Sequence, residues 1–158
     1  MEYKCTQAEM LAYLQTLVGE SLAYGFKSPD CDLYDLGFGT LIDVIHLNGR
    51  VQKKTTFVIH AVCPIKVIKP KVKKAKWFYE DASAEKFQSW VQTATGLVVE
   101  KVGLSDKNDL WLDLGEYWIV FVTNDQVEND CFEDWRFFMA NQVKPHLVAS
   151  AFSAYMTK

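Results

Sequence analysis

Apolar positions along this chain follow two rhythms, and each rhythm occurs twice. Met10, Leu11, Leu14 and Leu17 recur at three- and four-residue spacing, the period of a helix with one buried face. The segment Thr6-Gln-Ala-Glu9 just before them is a capping box, in which the Thr6 hydroxyl accepts from the Glu9 N–H while Glu9 reaches back. Phe87, Trp90, Val91 and Ala94 repeat the stripe behind Ser83 as N-cap, and each helix runs into a glycine, Gly19 or Gly96, suited to a left-handed C-terminal position. After each glycine the pattern shortens to strand-like runs: "ESLAYGF", "LYDLGFG" and "TLIDVIHL" in the first half, "LVVEKVGL", "LWLDLG" and "YWIVFVT" in the second. The polar clusters "KSPDCD" and "SDKND" punctuate them as turns. Asn48-Gly49 marks a hairpin, with the residue pair favoured where a type I′ turn needs positive φ at both centres. Each half closes on a further strand, "TTFVIHAVCPIKVI" and "HLVASAFSAYM", the second of which also reads as an Ala-rich helix.

The two halves align at an offset of 77 residues. From Tyr13 to Tyr34 against Trp90 to Trp111 there are six identities in 22 positions: Gln15/Gln92, Thr16/Thr93, Gly19/Gly96, Ser28/Ser105, Asp32/Asp109 and Leu33/Leu110. Asn124-Asp125 takes the place of Asn48-Gly49 one position short of that offset, which a single deletion explains. The expectation is an α+β fold made by tandem duplication of a helix-plus-antiparallel-meander unit. The repeats span residues 6–69 and 83–156, joined by a Lys-rich linker at 70–82 and packed with pseudo-twofold symmetry, since an amphipathic helix and a one-faced sheet must each bury a face.

A chain of 158 residues buries about two thirds of its unfolded surface, so 1–158 is expected to form one compact domain without staples. No apolar run approaches the ~20 residues needed to span a bilayer. The start "MEYKCTQAEM" has no apolar signal core, and a soluble, cytoplasmic protein is expected. Cys5, Cys31, Cys63 and Cys131 form no C-x-x-C pair, and His60 lies three before Cys63 with no second ligand pair, so neither metal nor cofactor is expected.

Charge is polarised along the chain. Val44 to Tyr79 contains no acid but nine of the 17 basic residues: Arg50, Lys53, Lys54, Lys66, Lys69, Lys71, Lys73, Lys74 and Lys76. Glu100 to Asp134 holds ten acids against Lys101 and Lys107. The lysines suit an exposed edge strand kept from aggregating. They also suit nucleic-acid phosphates, but near them the aromatics that a single-strand binder needs are confined to Trp77 and Phe78, so nucleic acid is not the favoured partner. The acidic segment suits docking of a basic protein.

His46, His60 and His146 belong to no catalytic motif, "GFG" and "LVGES" lack phosphate-loop spacing, and Asp32 and Asp109 read as turn residues. The stretch "EDWRFFM" is more distinctive, because Trp and Arg are enriched in binding hot spots. As a strand it turns Trp135 and Phe137 one way and Arg136 and Phe138 the other, with Asp113 or Glu116 as the carboxylate partner expected for Arg136.

The run "GLVVEKVGLSDKNDLWLDLGEYWIVF" followed by "DWRFF" resembles small bacterial proteins of the immunity type, which neutralise toxins of contact-dependent or polymorphic systems. The resemblance spans residues 96–138, with an echo at 19–48 that lacks the Trp-Arg element. It implies a non-enzymatic module with a protein partner, a basic toxin being one candidate. The expected binding residues are Asp113, Glu116, Glu133, Asp134, Trp135 and Arg136. Two alternatives stand beside it: a small-molecule binder or enzyme with a pocket between the halves, and nucleic-acid binding through Lys66 to Lys76. Oligomeric state stays open.

Overall fold

The computed structural model describes residues 2–78, 84–126, 133–140 and 145–157. The fold is α+β, with two short helices and two antiparallel sheets among the described residues. The first half contains β1 (Glu2–Lys4), α1 (Gln7–Leu14, extended by a 3-10 turn at Gln15–Leu17), β2 (Leu22–Lys27), β3 (Tyr34–Ile45) and β4 (Val51–Ala61). Then come β5 (Ile65–Lys69) and β6 (Lys74–Phe78), followed by α2 (Ala84–Ala94), β7 (Lys101–Leu104), β8 (Leu110–Asp113) and β9 (Trp118–Phe121). The chain ends with β10 (Trp135–Met139), β11 (His146–Ala149) and β12 (Ala154–Thr157).

Both helices form where their stripes place them. Thr6 and Glu9 make the reciprocal capping box, and Met10, Leu14 and Leu17 are buried. Phe87, Trp90, Val91 and Ala94 are buried on α2, while the expected cap Ser83 lies outside the described residues. Gly19 and Gly96 adopt φ of +92° and +91°, a conformation that costs glycine no Cβ clash.

Beyond these glycines the two halves meet directly. Ser21 and Val98 form an isolated antiparallel bridge. Around it, Gly19 N–H donates to Val99 O and Gly96 N–H to Leu22 O, each at 2.8 Å; Leu22 N–H donates to Leu97 O at 2.9 Å and Val99 N–H to Glu20 O at 2.8 Å. Every bond in this set has its counterpart at an offset of 77 in both donor and acceptor. Each helix then packs on the strand that follows the other helix, α2 on β2 and α1 on β7. Gly25 makes room for this, since a Cβ there would lie 2.8 Å from a Val91 methyl.

The strands also exchange sheets. The larger sheet has the order β1-β12-β11-β10-β4-β3-β2 and the smaller β6-β5-β9-β8-β7. The first half's continuation, β5, therefore joins β9, and the second half's continuation, β10, joins β4. At the crossing Val62 N–H donates to Asp134 O and Val122 N–H to Pro64 O, both at 2.9 Å. The inner faces and both helices share one core, in which Phe87 meets Tyr34 at 4.9 Å and Phe78 at 5.2 Å, edge to face.

Several expectations are corrected. "LYDLGFG" and "TLIDVIHL" form the single strand β3, whose register slips between Phe38 and Leu41 beside Gly39 at φ +93°. "TTFVIHAVCPIKVI" is two strands, because Pro64 has no N–H to continue a ladder and the chain turns from one sheet into the other there. "HLVASAFSAYM" is a hairpin of β11 and β12 and contains no helix. The tip at Asn48-Gly49 is a three-residue loop: Gly49 N–H donates to His46 O, His46 N–H to Arg50 O, and only Gly49 has positive φ, the form of a type I turn closed by a glycine bulge. Part of the supposed linker is the edge strand β6. The turn after β7 is one residue shorter than that after β2, since Ser28 N–H reaches Leu33 O but Ser105 N–H reaches Asp109 O. Buried Tyr34, Leu36 and Phe38 therefore match buried Leu110, Leu112 and Leu114 at an offset of 76. The change of offset from 77 to 76 thus falls at that turn, ahead of Asn124.

Adding a Cβ at Gly19 or Gly96 meets no atom within 4 Å, so only the backbone conformation is penalised. Gly19→Ala and Gly96→Ala should each lower stability by about 1 kcal/mol, and by similar amounts, in urea melts.

Candidate functional site

The six residues singled out in the sequence do not converge. Trp135 is wholly buried at 0% exposure, and its indole N–H donates to Asn108 O at 2.9 Å. Asp134 is buried beside it, accepting from the N–H groups of Asn124 and Ala151, each at 3.3 Å; burial pushes its carboxyl above the usual range. Both act as internal ties where the chain crosses between sheets. Asp113 ends β8 of the smaller sheet and Glu116 lies in the turn between β8 and β9. Asp113 accepts from Gly115 N–H at 2.8 Å and lies opposite Lys101, while Glu116 is 3.6 Å from Lys69.

Arg136 is not the partner of either. Its guanidinium grips Glu133 as a fork, Nε to Oε1 at 2.8 Å and Nη2 to Oε2 at 2.6 Å, because a residue three positions back is within reach while Asp113 and Glu116 lie on the other sheet. Its Nη1 is 3.2 Å from His146 Nδ1.

The pairing of β10 between β4 and β11 assembles a group that sequence spacing did not reveal. Across the outer face of the larger sheet, one register row reads Asp35, His60, Arg136, Val148, Tyr155; the next reads Gly37, Val58, Phe138, His146, Thr157. The Phe138 ring lies between two imidazoles, edge to face with His60 at 4.9 Å and stacked on His146 at 4.5 Å. His60 Nε2 is 3.4 Å from Asp35 Oδ2, and the Tyr24 hydroxyl donates to Asp35 Oδ1 at 3.2 Å. Gly37 allows this, since a Cβ there would overlap the Tyr24 ring. Burial and the Asp35 carboxylate push Tyr24 up to about 12. The group is an aromatic and imidazole surface whose one guanidinium is already paired with Glu133. Cys63 is buried beneath the crossing, its thiol pushed up by burial and then by Asp134, away from the thiolate form that reacts. Among the described residues no group of three or more His, Cys, Asp or Glu is placed to hold a metal ion, and no helix is long and apolar enough to cross a membrane.

The second exposed feature is an arm. β3 and β4 remain paired from Leu41↔Thr55 to Ile45↔Val51, past the point where β2 and β10 stop, so among the described residues this stretch has no third strand on either side. Leu41, Ile45, Leu47 and Val51 are exposed on it, Ile45 at 73% and Leu47 completely. Arg50, Lys53 and Lys54 outnumber Asp43.

Burial first, and then the Arg136 charge, hold His146 below its ordinary value of 6.5. A histidine whose folded value is depressed leaves stability whole above 6.5 and lost as pH falls below it, since the unfolded chain takes up the proton first. In an NMR titration His146 should therefore titrate below 6.5, and Arg136→Ala should raise its midpoint.

No protein-family model, curated protein or solved structure matches this chain.

Proposed function

We propose that the chain is a non-enzymatic binding protein built by tandem duplication, its halves related by a pseudo-twofold axis through the Ser21–Val98 bridge, and that its partner is another protein held by the β3–β4 arm. The duplication is supported by the four bridge hydrogen bonds, which map onto one another at an offset of 77, and by the reciprocal packing of α1 and α2.

The arm is the observation that carries the binding role. An isolated two-stranded ribbon is marginal in water, and leaving Leu41, Ile45, Leu47 and Val51 exposed on one forgoes burial worth about 1.5–3 kcal/mol for each large aliphatic side chain. Open ribbon edges and apolar side chains suit strand addition to a partner's sheet or insertion into an apolar groove. The basic residues on the arm favour a groove rimmed with acid. The acidic residues expected from sequence are less suited to docking, since Glu133 and Glu116 have cationic partners and Asp134 and Trp135 are buried. Neutralising a toxin, as the immunity-type resemblance implies, is the form of this reading in which a small cytoplasmic chain needs no chemistry of its own. A small-molecule pocket between the halves is less favoured, because Leu17, Tyr34, Phe87 and Leu110 fill that junction.

A photocrosslinking residue placed at Leu47 should capture one discrete protein in the native host, and one placed at Lys4 on the opposite edge strand should not. Ile45→Ser and Leu47→Ser should weaken binding of the captured protein at least about tenfold while changing stability by less than about 0.5 kcal/mol, as exposed sites do. Equal crosslinking at both positions, or unaltered binding by both variants, would sink the arm as the docking element.

A further inference from the structure

We propose that the outer face of the smaller sheet binds single-stranded nucleic acid, a site distinct from the arm. Ile65, Val67, Leu110, Leu112, Ile119 and Phe121 point into the core, so strand alternation turns their neighbours outward. Across the open face one register row reads Trp77, Lys66, Val120, Trp111, Gly103, and the adjoining row places Trp118 beside Ile68. Three tryptophans from β6, β8 and β9 thus share one face, although 34 residues separate Trp77 from Trp111 in sequence. Trp77 and Trp118 are 40% and 41% exposed, large fractions for indoles.

The face is held in place by its neighbours. The Trp111 ring lies on the Gly103 backbone, where any Cβ would collide with it, and it stacks on Trp118 with centroids 6.4 Å apart and planes 27° from parallel. Lys66 Nζ sits 5.0 Å from the centroid of the Trp77 ring. Indoles spread over an open sheet offer bases a surface for stacking that is independent of sequence.

Charge identifies the occupant. Residues 65–78 carry six lysines and no acid. Lys69 is committed to Glu116, but Lys66 shares the face with Trp77, and Lys71 and Lys73 are exposed at the β5–β6 turn; Lys74 and Lys76 alternate with Trp77 and leave the edge strand on its other side. The far corner is neutral, since Lys101 lies opposite Asp113. A polyanion would therefore run along the β5–β6 side, with its bases on Trp77 and Trp118. Duplexes keep their bases stacked inside and gain only the charge term, and neutral sugars that stack on indoles gain nothing from the lysines.

The test is fluorescence anisotropy with the full chain and labelled oligo(dT), oligo(U) and duplex DNA of about 15 nucleotides, at about 50 and 200 mM salt. Single strands should bind, quench tryptophan emission and weaken steeply with salt. Trp77→Ala and Trp118→Ala should each weaken binding about 5- to 100-fold with unchanged circular dichroism, as loss of one stacked base does. Lys66→Ala and Lys73→Ala should flatten the salt dependence, and Leu47→Ser should change nothing. The proposal is overturned by no binding of single strands at low salt, by duplex binding of equal strength, or by binding indifferent to both tryptophan variants. Retention on a neutral polysaccharide or an acidic peptide in place of oligonucleotide would equally overturn it. Should a tryptophan variant misfold, the wild-type quenching and the lysine salt slopes still decide the matter.

Discussion

The architecture depends on four backbone hydrogen bonds between residues 19–22 and 96–99. A helix end leaves carbonyls and amides without intrahelical partners, and such groups can be buried only if something else pairs with them. Here each helix is followed by a glycine in the left-handed region, and the next residues of one half pair with those of the other. The pairing points β2 into the larger sheet and β7 into the smaller, and it brings each helix over the strand that follows the other helix. Neither half could bury its helical stripe alone. The continuous core from Leu14 and Phe137 through Phe87 to Phe121 follows from that mutual dependence.

What sequence reveals of such an arrangement depends on how local the signal is. Both helices are legible because capping, periodicity and a terminal glycine agree within 14 residues, Thr6 to Gly19 and Ser83 to Gly96. The sheet exchange was not legible, since "AVCPIKV" reads as one apolar run and the turn of Cys63-Pro64 from one sheet into the other depends on strands distant in the chain. Gly37 and Gly39 looked like the end of a strand and lie inside one, the first beneath the Tyr24 ring and the second at a register slip. Trp135 and Arg136 illustrate the limit for sites. Residue type is the same whether a tryptophan anchors a partner or a core, and only the Asn108 hydrogen bond and complete burial decide for the core. His60, Phe138 and His146 come together only because β10 lies between β4 and β11, a pairing no local pattern encodes.

The charge polarity along the chain has a different meaning in space. Much of the acid in the second half is used internally: Asp109 accepts from the Thr123 N–H and hydroxyl, Asp125 pairs with Lys107, and Glu133 pairs with Arg136. The lysines of β5, β6 and their turn are gathered along one edge beside exposed indoles. A net charge of -3 therefore describes the surface poorly, because paired charges cancel where they stand and the remaining cations are gathered in one band.

Exposed strand edges invite sheet-to-sheet association, and among the edges of this fold are the strand β6 and the bare ribbon of the arm. Both carry the usual protection, lysine: Lys74 and Lys76 on β6, Lys53 and Lys54 on the arm. Repulsion between like charges discourages copies of the chain from pairing through these edges, yet it attracts any partner of opposite sign. One set of side chains can thus keep the protein dispersed and select what binds it. Lysine on an edge is usually explained by the first effect alone. Apolar side chains beside the lysines change the balance, because Leu47 on the arm and Trp77 on β6 gain from being covered and the cations determine by what.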